Sequence, residues 1–247
     1  MNLYKKLVAW VFLSITVVCL QAKAEHYVVG VENVDYLPFS AIREGQLIGY
    51  YRDLLEAFGK DSGHSFTYRP YPVKRLMNAL VAGQIDFKVP DNPYWAAEVK
   101  ANHDVIYSRP ITLSIDGVMV RPEYLEADHN RLSSIATVLG FTPVPFIDDI
   151  KSGNIKLNEV TSLEAVIRMV DSKRVDGGFA NVTVINALLT KEFNRPGLLI
   201  YNHDLPSLKS DISISTMQQV DVIHEFNDWL ERNAQAVNTL KSSYDVP

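Results

Sequence analysis

Residues 79–92 read ALVAGQIDFKVPDN, and residues 168–181 read RMVDSKRVDGGFAN. Side by side, the two stretches follow one plan. Each opens on the apolar end of a helix, breaks at polar or glycine residues, sets an aspartate (Asp86, Asp176) at the mouth of a strand, and closes on an asparagine (Asn92, Asn181). Gly83 is a natural helix stop, because a left-handed residue satisfies the last carbonyls without a Cβ penalty. The likeness is one of plan rather than of residues, and it predicts two related α/β units in one chain. The paired aspartates read as structural groups that accept strand-end hydrogen bonds.

Outward from these stretches the chain alternates strand and helix. Tyr27–Val31 is a β-branched run that reads as a buried strand, followed by a loop over 33–40 carrying Tyr36, Pro38 and Phe39. Gly45 and Gly49 bracket a hairpin. A helix is predicted from about Tyr51, with Leu54, Leu55 and Phe58 on one face and Gly59 near its end. Residues 66–69 read as a strand, and residues 73–82 as a helix with Leu76, Met77, Leu80 and Val81 inward. In the second half, residues 135–139 form an apolar strand ending at Gly140. Thr161 and Glu164 suggest a capping box. Residues 212–215 read as a strand, followed by an amphipathic helix from Val220 with Ile223, Phe226, Trp229 and Leu230 on one side. Such alternation predicts an α/β fold with a parallel-dominated sheet in each lobe, and the tail is expected to return to the first lobe.

The start of the chain has the order of a secretory signal: Lys5 and Lys6, an apolar run from Leu7 to Leu20, then Ala22-Lys23-Ala24 as a small-x-small cleavage site. The run is shorter than the roughly 20 residues a membrane span needs. Residues 1–24 are therefore expected to be a signal peptide, and the localisation periplasmic. The sole cysteine, Cys19, lies inside it, which leaves the mature chain without a thiol for a disulfide or zinc-thiolate site. Removing the signal's three lysines leaves 21 basic residues against 29 acidic ones, a formal charge of −8. That balance argues against nucleic acid as a partner, since phosphates call for a basic surface. His26, His64, His103, His129, His203 and His224 are scattered and make no metal-ligand pair. No phosphate loop, dinucleotide fingerprint or nucleophile elbow occurs, so neither metal nor cofactor is expected, and no catalytic residue is assigned.

Five ordered markers carry a resemblance: Gly45-x-x-x-Gly49-Tyr50 with Asp53-Leu54, Leu80-x-x-Gly83-x-x-Asp86, Tyr107-Ser108-x-Pro110, Arg174-x-Asp176-Gly177, and the strand and helix from Ile214 to Trp229. Together they resemble the family 3 periplasmic solute-binding proteins. The resemblance implies the type II periplasmic-binding-protein fold, with lobe 1 discontinuous (25–116 plus 212–247) and lobe 2 spanning 117–211. Two crossover strands near 114–117 and 207–211 would join the lobes, and a small-molecule ligand would be held in a cleft that closes by hinge motion. It also implies an ABC-transporter permease or membrane sensor as partner and a monomeric state. An enzyme resembling the cyclohexadienyl dehydratases on this fold is the alternative, with Asp91 and Glu98 as its cleft acids.

The sequence departs from the family's amino-acid clamp. The loop over 90–98 has no arginine to pair bidentately with a ligand carboxylate, and neutral Asn181 stands where the family often has an aspartate for the ligand ammonium. Ligand contacts are expected from Tyr36 and Phe39 in the first loop, from Asp91, Asn92, Tyr94 and Trp95 in the loop after the first matched strand, and from Thr142 and Asn181 in the second lobe. Gly140-Phe141-Thr142 is read as a helix N-terminus offering amides to an anion, against the loss of donors at Pro143 and Pro145. Arg75 and Arg121 read as solvated or structural.

Overall fold

A computed structural model describes residues 24–126 and 132–247. The export-signal reading and His129 lie outside the described residues. In chain order, the first part runs β1 (His26–Glu32), β2 (Ala41–Arg43), β3 (Gln46–Ile48), α1 (Tyr50–Ser62), β4 (Ser65–Tyr71), α2 (Val73–Val81), β5 (Phe87–Asp91), α3 (Ala97–Lys100), β6 (Ile106–Tyr107) and β7 (Thr112–Val120). The second runs α4 (Pro122–Glu126), β8 (Ser134–Val138), α5 (Ile147–Lys151), β9 (Lys156–Val160), α6 (Leu163–Asp171), β10 (Gly177–Asn181), α7 (Val182–Lys191) and β11 (Ile200–Tyr201). The chain finishes with β12 (Leu208–Thr216), α8 (Val220–Arg232) and α9 (Ala234–Ser243).

The main sheet has the order β4-β1-β5-β12-β7-β10-β8-β9. Its β4-β1-β5 end is parallel, as is β10-β8-β9, and the two long strands β7 and β12 run antiparallel between them. Residues 112–116 of β7 pair with 208–212 of β12, after which β7 continues beside β10 and β12 beside β5. The result is the two-lobed type II architecture: two α/β lobes with a two-stranded ribbon between them.

Burial follows the residue pattern. Val29, Val31 and Val89 on the first lobe's strands, and Ile135 and Ala136 on the second's, are fully buried. Val29, Val31 and Val89 pack with Leu54, Leu55 and Phe58 of α1, while Leu76 and Leu80 of α2 cover the opposite face of β1, against Gly30; Ala136 packs with Val166, Ile167 and Val170 of α6, and Ile135 with Phe146 and Phe179. Phe226 and Trp229 of α8 pack against Phe58 of α1 at ring distances of 5.1 and 5.7 Å, and the Trp229 indole donates to Asp61.

The matched aspartates do the same work in each lobe. Asp86 accepts from the Val28 amide at 2.8 Å, and Asp176 accepts from the Ser133 and Ser134 amides at 2.9 Å each. α1 ends shortly after Gly59, at Ser62, and the left-handed φ of 84° at Gly63 lets its amide reach the Gly59 carbonyl. Another local reading shifts. Ser162 rather than Thr161 caps α6, accepting from the Ala165 amide at 3.2 Å. α9 is a further helix that the periodicity did not separate from α8.

Candidate ligand-binding cleft

A cleft of about 340 Å³ opens between the lobes. The first lobe lines it with Glu32, Tyr36 and Lys88, with Val73, Lys74 and Met77 of α2, and with Trp95, Ala96 and Val99. The second lobe contributes Gly140, Phe141, Thr142, Phe179 and Ala180, and Asp116 enters from β7. Glu32 is the last residue of β1, Ala180 lies in the carboxyl half of β10, Phe179 is its middle residue, and Lys88 stands near the start of β5. Ligands of open α/β sheets sit beyond the strand carboxyl ends.

The lobes touch around the cleft. Tyr36 meets Phe141 edge to face at 5.8 Å. Lys74 of α2 forms an ion pair with Glu159 of β9 at 3.2 Å, and Glu159 also accepts from the Gly140 amide. Gly140, at φ 98°, lies so close to Val73 and Lys74 that a Cβ there would come within 2.9 Å of Lys74 Cγ.

Glu32, Lys88 and Asp116 line the cleft as buried charged side chains, and Asp91 and Lys100 lie behind Lys88. Asp91 is fully buried between Lys88 (3.0 Å) and Lys100 (2.8 Å), and Ser215 donates to its other oxygen at 2.7 Å. Burial opposes ionisation, but the two ammonium groups hold the Asp91 carboxyl below its ordinary value. Lys88 also donates to the Pro90 carbonyl and lies 5.6 Å from the centre of the Trp95 ring. Glu32 is 7% exposed, and among the described residues its carboxylate makes no hydrogen bond or ion pair and is not sealed from the cleft. Burial raises its carboxyl to about 7, against the pull of Lys88 and with a push from Asp91 and Asp116. Asp116, also 7% exposed, is raised to about 6 by burial, with Ser114 and Asn181 acting the other way.

Of the residues expected to touch ligand, Tyr36, Trp95 and Thr142 line the cleft. The other five lie elsewhere. Phe39 is core: its ring stacks on Tyr51 at 5.6 Å and is 1% exposed. Asp91 is spent on the two lysines. Asn92 is fully buried and builds the turn, its carbonyl accepting from the Tyr94 and Trp95 amides while its amide donates to Ser210. That turn sends Trp95 inward and leaves Tyr94 55% exposed. Asn181 caps α7 by accepting from Val184 and donates to Ser114; it is not a lining residue, but it bears on the cleft through Asp116, to which Ser114 donates at 3.0 Å and whose carboxyl Asn181 also helps to hold down. Thr142 stands in a loop before a short 3-10 turn (Val144–Phe146), not at a helix N-terminus, so the expected amide cluster is not formed there. Exposed Glu98 is not a lining residue. Arg121 is tied to the Val170 and Val175 carbonyls and to Glu123.

Sequence reasoning passed over Glu32, Lys88 and Asp116. Glu32 closes a β-branched strand and Asp116 interrupts one, and an acid inside such a run is the signal that was available.

Residues 27–121 match the family described as bacterial extracellular solute-binding proteins, family 3. The resemblance to family 3 holds. No curated protein matches the chain. Among solved structures, an arginine third transport system periplasmic binding protein from Legionella pneumophila superposes with a TM-score of 0.72 at 16% identity, over 90% of this chain and 100% of that one. An ancestral arginine-binding protein bound to arginine gives 0.70 at 18%, over 89% and 97%. A histidine kinase sensor domain with similarity to periplasmic binding proteins gives 0.70 at 15%, over 88% and 95%. At these identities the superpositions speak for the fold, and this chain shares it with the family 3 proteins.

Proposed function

We propose that this protein is exported, cleaved after Ala24, and works in the periplasm as a monomeric receptor that captures one small solute between its lobes. It binds without turning the solute over, and the closed form is read by an ABC importer or a membrane sensor. The lobes divide as 25–116 with 212–247, and 117–211. The observation that carries the reading is the cleft itself. Its volume of about 340 Å³ lies in the range of small-molecule sites, and its aromatic walls with a few placed polar groups suit one. Both lobes line it, so a ligand there stabilises the closed arrangement over the open one. The transport-system relative and the sensor-domain relative support the two kinds of partner.

The test is native mass spectrometry of the protein purified from the periplasm without refolding. A noncovalent adduct of small-molecule mass, released on denaturation and restored on adding it back, is expected. Its conversion to a product by the protein would overturn the receptor reading. Conversion would favour the second reading, an elimination enzyme on the same fold, which one observation supports: the Glu32 carboxyl at about 7 lies in the working range of a general acid or base.

A further inference from the structure

We propose that the cleft selects a compact organic cation without a carboxylate, an amine or a guanidine, with Glu32 and Asp116 as its counter-charges. This rests on the receptor reading and names the class of solute. The first ground is charge. Lys88 and Lys100 both face Asp91, so that trio carries one surplus positive charge. Glu32 and Asp116 together carry two negative charges when ionised, and one of these is left uncompensated. A monocation closes the balance.

The second ground is the state of Glu32. It is more than nine-tenths buried, lines the cleft, and has no hydrogen-bond donor among the described residues. Its oxygens are open to the cleft rather than sealed; a ligand that dries the cleft would leave them without donors, which is costly, and an ammonium or guanidinium supplies those donors itself. The third ground is the walls. Tyr36, Trp95 and Phe141 offer π faces and edges to a cation, and no arginine lines the cleft to receive an anionic group.

The same geometry ties binding to protons. Glu32 is faced by Lys88, Asp91 and Asp116, and the buried hydroxyls of Tyr36 and Tyr51 are held neutral by burial and by these carboxylates. Asp116 is faced by Ser114 and Asn181. At the rim Lys74 is matched by Glu159. A bound cation favours the ionised acids. It therefore expels protons that they hold, and affinity gains up to about tenfold per pH unit for each proton released.

The experiment is calorimetry on the mature protein with probe pairs that differ only in the α-carboxylate: agmatine and arginine, 1,5-diaminopentane and lysine, tyramine and tyrosine, histamine and histidine. At least one amine is expected to bind at least about tenfold more tightly than its amino-acid partner. Its affinity should rise between pH 5.5 and 7.5, with buffer-dependent heats that report proton release. Glu32→Gln should weaken that amine at least about tenfold and flatten the pH dependence, with its melting profile checking the fold; Asp116→Asn is the second variant. Amino acids binding as well as the amines, no amine binding at all, or Glu32→Gln binding like the parent would overturn the proposal. Saturable amino-acid binding overturns only the cation and leaves the receptor reading standing, whereas product formed from any probe overturns the receptor reading.

Discussion

Asn92 and Asn181 occupy matched places in the two quoted stretches, and the structure gives them matched duties. Each ends a strand, each accepts backbone amides to start the next segment, and each donates to a serine of the ribbon, Ser210 and Ser114 respectively. The segment that Asn92 starts decides which aromatic is useful. Trp95 is turned against Lys88 in the cleft while Tyr94 faces solvent. Trp95→Ala is therefore expected to weaken the bound solute by about thirtyfold, the roughly 2 kcal/mol of a lost aromatic anchor, without changing the far-UV circular dichroism. Tyr94→Ala should leave both unchanged; titrations of the two variants side by side check this. The sequence marks this loop as rich in polar and aromatic groups but does not say which side of the chain each faces. That depends on a buried asparagine bonding across 118 residues of sequence, which no local pattern encodes.

At the scale of elements, the alternation of strands and helices is legible because each obeys its own period. The start of β1, the body of α2 and the apolar stripe of α8 all stand close to where periodicity puts them. The boundary that moved did so by one residue and locally: the capping duty of α6 falls to Ser162, which accepts from the Ala165 amide. Facing of one lobe by the other is invisible locally, and the contact between Gly140 and the start of α2 is its plainest case. Gly140→Ala adds a Cβ against Val73 and Lys74 in a backbone region that disfavours side chains, at a cost of about 1 kcal/mol or more. The expected outcome is a rim that no longer closes fully: a larger radius of gyration by small-angle X-ray scattering for the ligand-loaded protein, and weaker binding. Lys74→Ala should have a smaller effect, because an exposed ion pair contributes only up to about 1 kcal/mol.

For the molecule as a whole, the cleft acids link folding to pH. A carboxyl whose folded value lies above its unfolded one favours the folded state at low pH, and that advantage disappears as the pH rises through the folded value. With Glu32 at about 7 and Asp116 at about 6, the ligand-free protein is expected to lose stability between pH 4.5 and pH 7, by at most about 1.4 kcal/mol per pH unit per group. Urea unfolding across that range checks it, and Glu32→Gln should flatten the slope. The ribbon has a mechanical consequence of its own. Ser114 and Ser210 are directly opposite each other in the β7–β12 register, and each is gripped from a different lobe, by Asn181 and by Asn92. Both grips lie at the fulcrum, where swinging the lobes apart turns the bonds but hardly lengthens them. The lever arms end at the rim, where Tyr36 meets Phe141 and Lys74 meets Glu159. Resistance to opening is thus concentrated far from the pivot, so a few rim substitutions retune how readily the jaws part while the pivot keeps its bonds.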